Sequence, residues 1–64
     1  MKKLNTYTVW VVTPFGNGCF FQKAKSFEDC FNRLKPKDKK TCWDIYNGNE
    51  NICPDLLAKL KENN

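Results

Sequence analysis

The chain has 64 residues, of which 41% are hydrophobic and 14% aromatic, and a formal net charge of +4 at neutral pH. A chain of this length forms one domain, residues 1–64, and buries only about 60% of the surface of its unfolded state. It is too short for a deep cleft between two subdomains. No stretch approaches the roughly 18 apolar residues of a membrane span, so a membrane protein is not expected.

The N-terminal segment begins with basic residues but lacks the other parts of a secretory signal. Its apolar run, residues 9–12, is short, and no small-residue cleavage site follows it. The sequence therefore predicts a cytoplasmic protein. The four cysteines are then expected to be thiols, with a disulfide framework as the alternative. Because the chain has no His and no close Cys pair, neither a metal nor another cofactor is expected.

A β-hairpin is predicted first. Residues 6–13 are rich in β-branched and aromatic side chains, which favour a strand. Residues 14–18, PFGNG, predict a turn, because Pro presets φ while Gly and Asn accept positive φ. Residues 19–23 predict the second, antiparallel strand. The register stays open, since a shift of one residue exchanges Phe20 and Phe21 between the two faces.

A helix is predicted after the hairpin, with Ser26 as its N-cap. Four apolar residues follow at the spacing of one helix face: Phe27, Cys30, Phe31 and Leu34. Pro36 ends this helix, because the residue before a proline avoids the helical conformation. The lysine-rich segment 35–40 is then expected to be a loop that leads into the next strand.

The last third of the chain predicts two more strands and a helix. Residues 41–46 form the third strand, with Trp43 and Ile45 on one face. Residues 49–52 form a short polar fourth strand after an Asn-Gly turn. Residues 55–62 form a helix that starts after a proline. The order β-β-α-β-(β)-α predicts a small two-layer α+β domain, an antiparallel sheet of three or four strands with two short helices.

The first strand carries apolar side chains on both of its faces. One face has Tyr7, Val9 and Val11, and the other has Trp10 and Val12 between threonines. A sheet with one solvated face normally alternates apolar with polar residues. Either the helices cover opposite faces of the sheet, or one face is open and receives a partner.

The preferred hypothesis is a non-enzymatic protein that docks onto a protein partner through an aromatic surface. Tryptophan and tyrosine are enriched in such contacts, and the chain lacks a His that could act as a general base, so no catalytic residue is predicted. Ten Lys against one Arg, and eight Asn, are typical of AT-rich coding sequences, which suggests an inhibitor or adaptor of a phage or mobile element. The candidate contacts are Trp10, Phe15, Phe20, Phe21 and Tyr46.

The alternative hypothesis is weakly specific nucleic-acid binding through the basic loop. Its residues are Lys35, Lys37, Lys39, Lys40 and Trp43. So few lysines support only salt-sensitive binding, and the scarcity of Arg disfavours precise phosphate recognition. The same lysines also suit a solvated connector. A third possibility is a homodimer formed through the second face of the sheet.

Overall fold

The computed structural model describes residues 3–63, and Met1, Lys2 and Asn64 lie outside the described part. Part of the basic N-terminal segment therefore falls outside it. The elements are β1 (Asn5–Thr13), β2 (Gly16–Ala24), α1 (Phe27–Asn32), α2 (Pro36–Thr41), β3 (Cys42–Asn47), β4 (Glu50–Asn51) and α3 (Pro54–Glu62). A four-stranded antiparallel sheet with helices confirms the predicted α+β class and adds one helix, α2.

The sheet has the strand order β2-β1-β3-β4, so the long hairpin strand β2 lies at one edge and the short β4 at the other. β1 and β2 pair without interruption from Asn5↔Ala24 to Thr13↔Gly16. Only two residues remain in the turn, and β2 is longer than predicted. Within the predicted turn, residues 14–18, only Gly16 takes a positive φ, 122°. The residues after it have ordinary φ values and extend the strand.

The register settles the orientation of the two neighbouring phenylalanines. Phe20 lies opposite Val9, and Phe21 lies opposite Thr8. Since Val9 is fully buried, Phe20 points to the helices and Phe21 points away from them.

A β-bulge interrupts the pairing of β1 with β3. Trp10 lies opposite Asp44, whereas the next residue, Val11, lies opposite Cys42, so Trp43 is the extra residue. As a result Cys42 and Ile45 are both buried, while the Trp43 ring contacts Trp10. The predicted strict alternation, with Trp43 and Ile45 on one face, is wrong because a bulge shifts the side-chain phase by one residue.

The segment predicted as a basic loop is the helix α2. The first helix ends before Lys35, as expected, and Lys35 itself is extended, with φ −67° and ψ 154°. Pro36 then occupies the first position of α2, where its missing N–H costs nothing. The proline therefore ends one helix and starts another, and the loop prediction captured only the first of these effects.

The hydrophobic core lies between one face of the sheet and the helices. Its buried side chains are Tyr7, Val9, Val11, Ala24, Cys30, Phe31, Leu34, Cys42, Ile45, Ile52, Leu57 and Leu60. The Tyr7 ring meets Phe27 of α1 edge-on, with centroids 5.1 Å apart. Among residues 3–63 no helix has the length and apolar character that crossing a bilayer requires.

Candidate protein-binding surface

The two faces of the sheet have different surroundings. The covered face, made by Tyr7, Val9, Val11, Phe20 and Ile45, packs against α1 and α3. The open face is made by Thr8, Trp10, Val12, Phe21, Trp43 and Tyr46. Within the described part of the chain the core cluster takes sheet residues from the covered face and none from the open face. The structure therefore excludes helices on opposite faces of the sheet as the reason for the two-sided apolar pattern and leaves one face open.

Two tryptophans form the centre of the open face. The rings of Trp10 and Trp43 lie 5.8 Å apart between centroids, tilted by 46°. Trp43 remains 46% exposed. With Thr8, Tyr46 and Gly48 the two rings line a shallow groove of about 380 Å³. Tilted aromatic pairs of this kind are favourable beyond their buried area, so the pair presents a defined apolar surface.

The hairpin extends this surface toward β2. Phe21 is 73% exposed and Val12 is 50% exposed. Cys19 is also exposed and lies directly opposite Trp10 in the pairing of β1 with β2. Val12 and Cys19 were not among the predicted contact residues, although the alternation of β1 already placed Val12 on the same face as Trp10.

Asp44 positions the Tyr46 side chain on the open face. Its carboxylate accepts a hydrogen bond from the Ile45 backbone N–H at 2.9 Å. A hydrogen bond from the Tyr46 hydroxyl to Asp44, together with the negative charge of Asp44, raises the pKa of Tyr46. Tyr46 is therefore a neutral phenol at physiological pH, with an apolar ring and one polar end.

The open face carries almost no charge. Residues 4–22 contain no Asp, Glu, Lys or Arg, although 28% of the chain is charged. Lys23, at the β2 edge of the face, lies opposite Thr6, whereas Asp44 lies next to the tryptophans, opposite Trp10. Depletion of charge with enrichment of aromatic residues is the composition found at the centre of protein–protein interfaces.

The hairpin turn exposes Phe15 completely. The Thr13 hydroxyl donates a hydrogen bond to the Gly16 carbonyl oxygen at 2.7 Å and accepts one from the Phe15 N–H at 3.2 Å. One side chain thus fixes both sides of the turn. Phe15 therefore lies at the tip of the hairpin with its side chain fully exposed.

Phe20 does not belong with the other predicted contacts. It is half-buried and packs against the core on the covered face, next to Leu34 and Arg33. The structure thus brings together Trp10, Phe21 and Tyr46 and separates Phe20 from them, because neighbouring residues of a strand point to opposite faces.

The basic residues of the alternative hypothesis lie in the helical layer. Lys35 caps α2, and Lys37, Lys39 and Lys40 lie within it. Lys39 and Lys40 border a cavity of about 450 Å³ together with Phe31, Pro36 and Lys61. Trp43 does not line this cavity: its ring contacts Trp10, and it borders a separate groove with Pro54 and Leu57 of α3. The fold therefore does not join the predicted aromatic and basic residues into one site.

The cysteines divide into two exposed and two buried thiols. Cys19 and Cys53 are exposed, Cys30 and Cys42 are buried, and all four are free. Burial raises the pKa of Cys30 to about 11 and also raises the pKa of Cys42, so both stay protonated and unreactive at neutral pH. Within residues 3–63 no three His, Cys, Asp or Glu side chains are grouped in a way that could hold a metal ion.

Comparison with known proteins gives no further guide to the site, since no family model, no curated protein and no solved structure matches the chain.

Proposed function

We propose that this protein is a non-enzymatic binding module that docks onto a protein partner through the open face. One observation carries the proposal: Trp10, Trp43 and Tyr46 line one groove on the sheet face outside the core, with Phe21 exposed beside them and Trp43 at the border with α3. On so small a protein, a contiguous aromatic surface outside the core points to an interaction site. The tryptophans and the tyrosine supply the residue types that dominate binding energy in protein interfaces.

The charge distribution favours a protein over a nucleic acid as the partner. Proteins that bind single strands combine stacked aromatic rings with a cationic groove that follows the phosphates. Here the rings of the open face are accompanied by Asp44 and, at the edge, by Lys23, while four lysines belong to α2 and its N-cap. A neutral aromatic face suits the apolar surface of another protein.

The titratable groups support a role without catalysis. The two thiols with raised pKa values are buried in the core. Asp29, whose pKa is lowered, accepts hydrogen bonds from Lys25 and Arg33 at the start of α1, a structural role. We assign the protein to the inhibitors and adaptors that phages and mobile elements use in the cytoplasm, on the basis of its size, its lysine- and asparagine-rich composition and its exposed aromatic face.

Affinity capture from the native host, with and without nuclease, tests the proposal. The tagged protein should retain a protein partner, identified by mass spectrometry, whether or not nucleic acid is digested. The double variant Trp10→Ala/Tyr46→Ala should lose that partner while its circular dichroism spectrum remains that of the parent. Lys37→Ala is the matched control and should retain the partner. Release of all captured protein by nuclease, or unchanged capture by the double variant, contradicts the proposal.

Nucleic-acid binding by α2 remains the second candidate, because four lysines lie on or next to one six-residue helix. It requires binding that weakens steeply between low and moderate salt. The slope of log affinity against log salt concentration should correspond to about three to four phosphate contacts. A gel-shift titration of single- and double-stranded oligonucleotides at low salt tests it directly. Absence of any shift removes this candidate, and a shift abolished by Lys37→Ala/Lys40→Ala supports it.

A further inference from the structure

The two edges of the sheet differ in their capacity to pair with another strand. β4 contains only Glu50 and Asn51, and Pro54, which has no backbone N–H, follows shortly after it. β2 has nine residues and pairs with β1 on one side only. Within the described residues, no strand pairs with the outer side of β2, which therefore presents backbone N–H and C=O groups along its length.

β2 lacks most of the features by which proteins protect an edge strand. Its pairing with β1 runs through nine residue pairs without a bulge. It contains no proline, and its first charged residue is Lys23, near its end. Proteins usually protect such edges with bulges, prolines or charges placed along the strand. The uncharged segment from Gly16 to Gln22 is thus open to strand addition.

The flanks of the edge can receive side chains from an added strand. On the open face, Phe21 stands 73% exposed beside the edge. On the covered side, a groove of about 310 Å³ runs along the strand, lined by Phe20, Gln22, Arg33, Leu34, Lys35 and Asp38. Alternate residues of an added strand would therefore pack on Phe21 and enter this groove.

We propose that a second copy of this chain pairs through β2, antiparallel to the first, to form a two-fold symmetric dimer with one continuous eight-stranded sheet. A second copy supplies an edge strand of the same nine-residue length, uncharged up to Lys23, so that the two strands can pair over their whole length. The position of Lys23 decides the direction of pairing. Antiparallel overlap places Lys23 of each copy beside the uncharged Gly16–Gly18 end of the other, whereas parallel pairing brings the lysines together. Full overlap puts the two-fold axis at Phe20.

This dimer makes specific side-chain pairs. The two Phe20 rings meet over the grooves on the covered side, and Cys19 of each copy lies opposite Phe21 of the other. Cross-strand aromatic pairs are the usual source of stabilisation between strands. The dimer does not rest on the proposed partner binding, since Trp10, Trp43 and Tyr46 remain uncovered in it.

Analytical ultracentrifugation over a concentration series tests the dimer. The protein should approach twice its monomer mass of 7.5 kDa as concentration rises. Phe21→Lys adds a cation beside Lys23 and should weaken dimerisation at least about tenfold, a change equivalent to about 1.4 kcal/mol. Asn49→Lys, in the exposed turn between β3 and β4 at the other edge of the sheet, is the charge-matched control and should dimerise normally. Both variants are checked for an unchanged circular dichroism spectrum.

A cross-linking experiment tests the register. In a Cys53→Ser background, Phe21→Cys places a second thiol opposite Cys19 of the other copy, and oxidised glutathione should convert the two thiols into a disulfide-linked dimer. Val12→Cys, exposed on β1, is the control and should cross-link much more slowly. A monomer at all concentrations overturns the proposal, and so does equal cross-linking in the two variants. A dimer that Asn49→Lys abolishes and Phe21→Lys does not abolish also overturns it.

Discussion

The covered and open faces of the sheet are formed by the same strands, yet one is packed under the helices and the other is exposed. On β1, the covered face has Tyr7, Val9 and Val11, all buried under the helices, while the open face has Trp10 and Val12. Both faces are apolar in sequence. The comparison shows that an apolar sequence pattern does not by itself identify the core, because the placement of the helices decides which apolar face is buried and which stays exposed.

The largest contrast between the faces is expected in thiol reactivity. Cys19 and Cys53 should react with a thiol reagent in the native state, whereas Cys30 and Cys42 should react at least about a thousandfold more slowly, since they require opening of the core. Labelling followed by mass spectrometry of peptides measures the four rates. Comparable rates for all four cysteines contradict the distinction between covered and exposed positions.

The free energy of unfolding should differ between a variant of a buried phenylalanine and a variant of an exposed one. Phe31→Ala removes a fully buried ring and should lower the free energy of unfolding by about 3–5 kcal/mol. Phe21→Ala removes an exposed ring and should change it by no more than about 0.5 kcal/mol. Urea denaturation of the two variants makes the comparison. If Phe21→Ala is as damaging as Phe31→Ala, the open face is part of the core.

The tryptophan pair of the open face should have a modest coupling energy. A double-mutant cycle with Trp10→Phe and Trp43→Phe is expected to give about 0.5–1.5 kcal/mol for the contact. Denaturant titrations of the parent, both single variants and the double variant supply the four free energies. Strict additivity would show that the rings do not contact one another in solution.

The smallest expected effect is on stability at acid pH, and it comes from the hydrogen bonds of Asp29, which join the start of α1 to the end of β2. The Lys25 backbone N–H and the Arg33 side chain hold the pKa of Asp29 below its ordinary value of 3.8. The stability that Asp29 contributes is therefore present above the pKa of the unfolded chain and is lost as pH falls through the lower, folded value. Asp29→Asn should flatten the acid dependence of the unfolding midpoint. An unchanged acid profile in that variant argues against this attachment.

The sequence predicted the hairpin, the first and last helices and the fold class, because these depend on local signals. Ser26 accepts a hydrogen bond from the Asp29 N–H at 3.1 Å as an N-cap, and the apolar spacing after it places Cys30 and Phe31 in the core. Pro36 was ambiguous, since a proline is compatible both with a helix end before it and with a helix start at it.

The candidate site was predictable only in part. Trp10, Phe21 and Tyr46 were identified as contacts and share the open face. The sequence places Trp43 with the basic residues and Phe20 with the contact surface. The face on which each of these side chains lies depends on how the strands pair. The bulge after Trp10 and the hairpin register are set by tertiary packing, and no residue in the sequence marks them.

Titration of the captured partner, purified, against matched variants tests the docking role of the open face most directly. Isothermal titration calorimetry should show that Trp10→Ala/Tyr46→Ala weakens binding at least about thirtyfold, since truncating one central aromatic residue costs about 2 kcal/mol. Lys37→Ala/Lys40→Ala should bind like the parent. Parent-like affinity of the aromatic variant, with loss of affinity in the lysine variant, would contradict the account and place the function on α2.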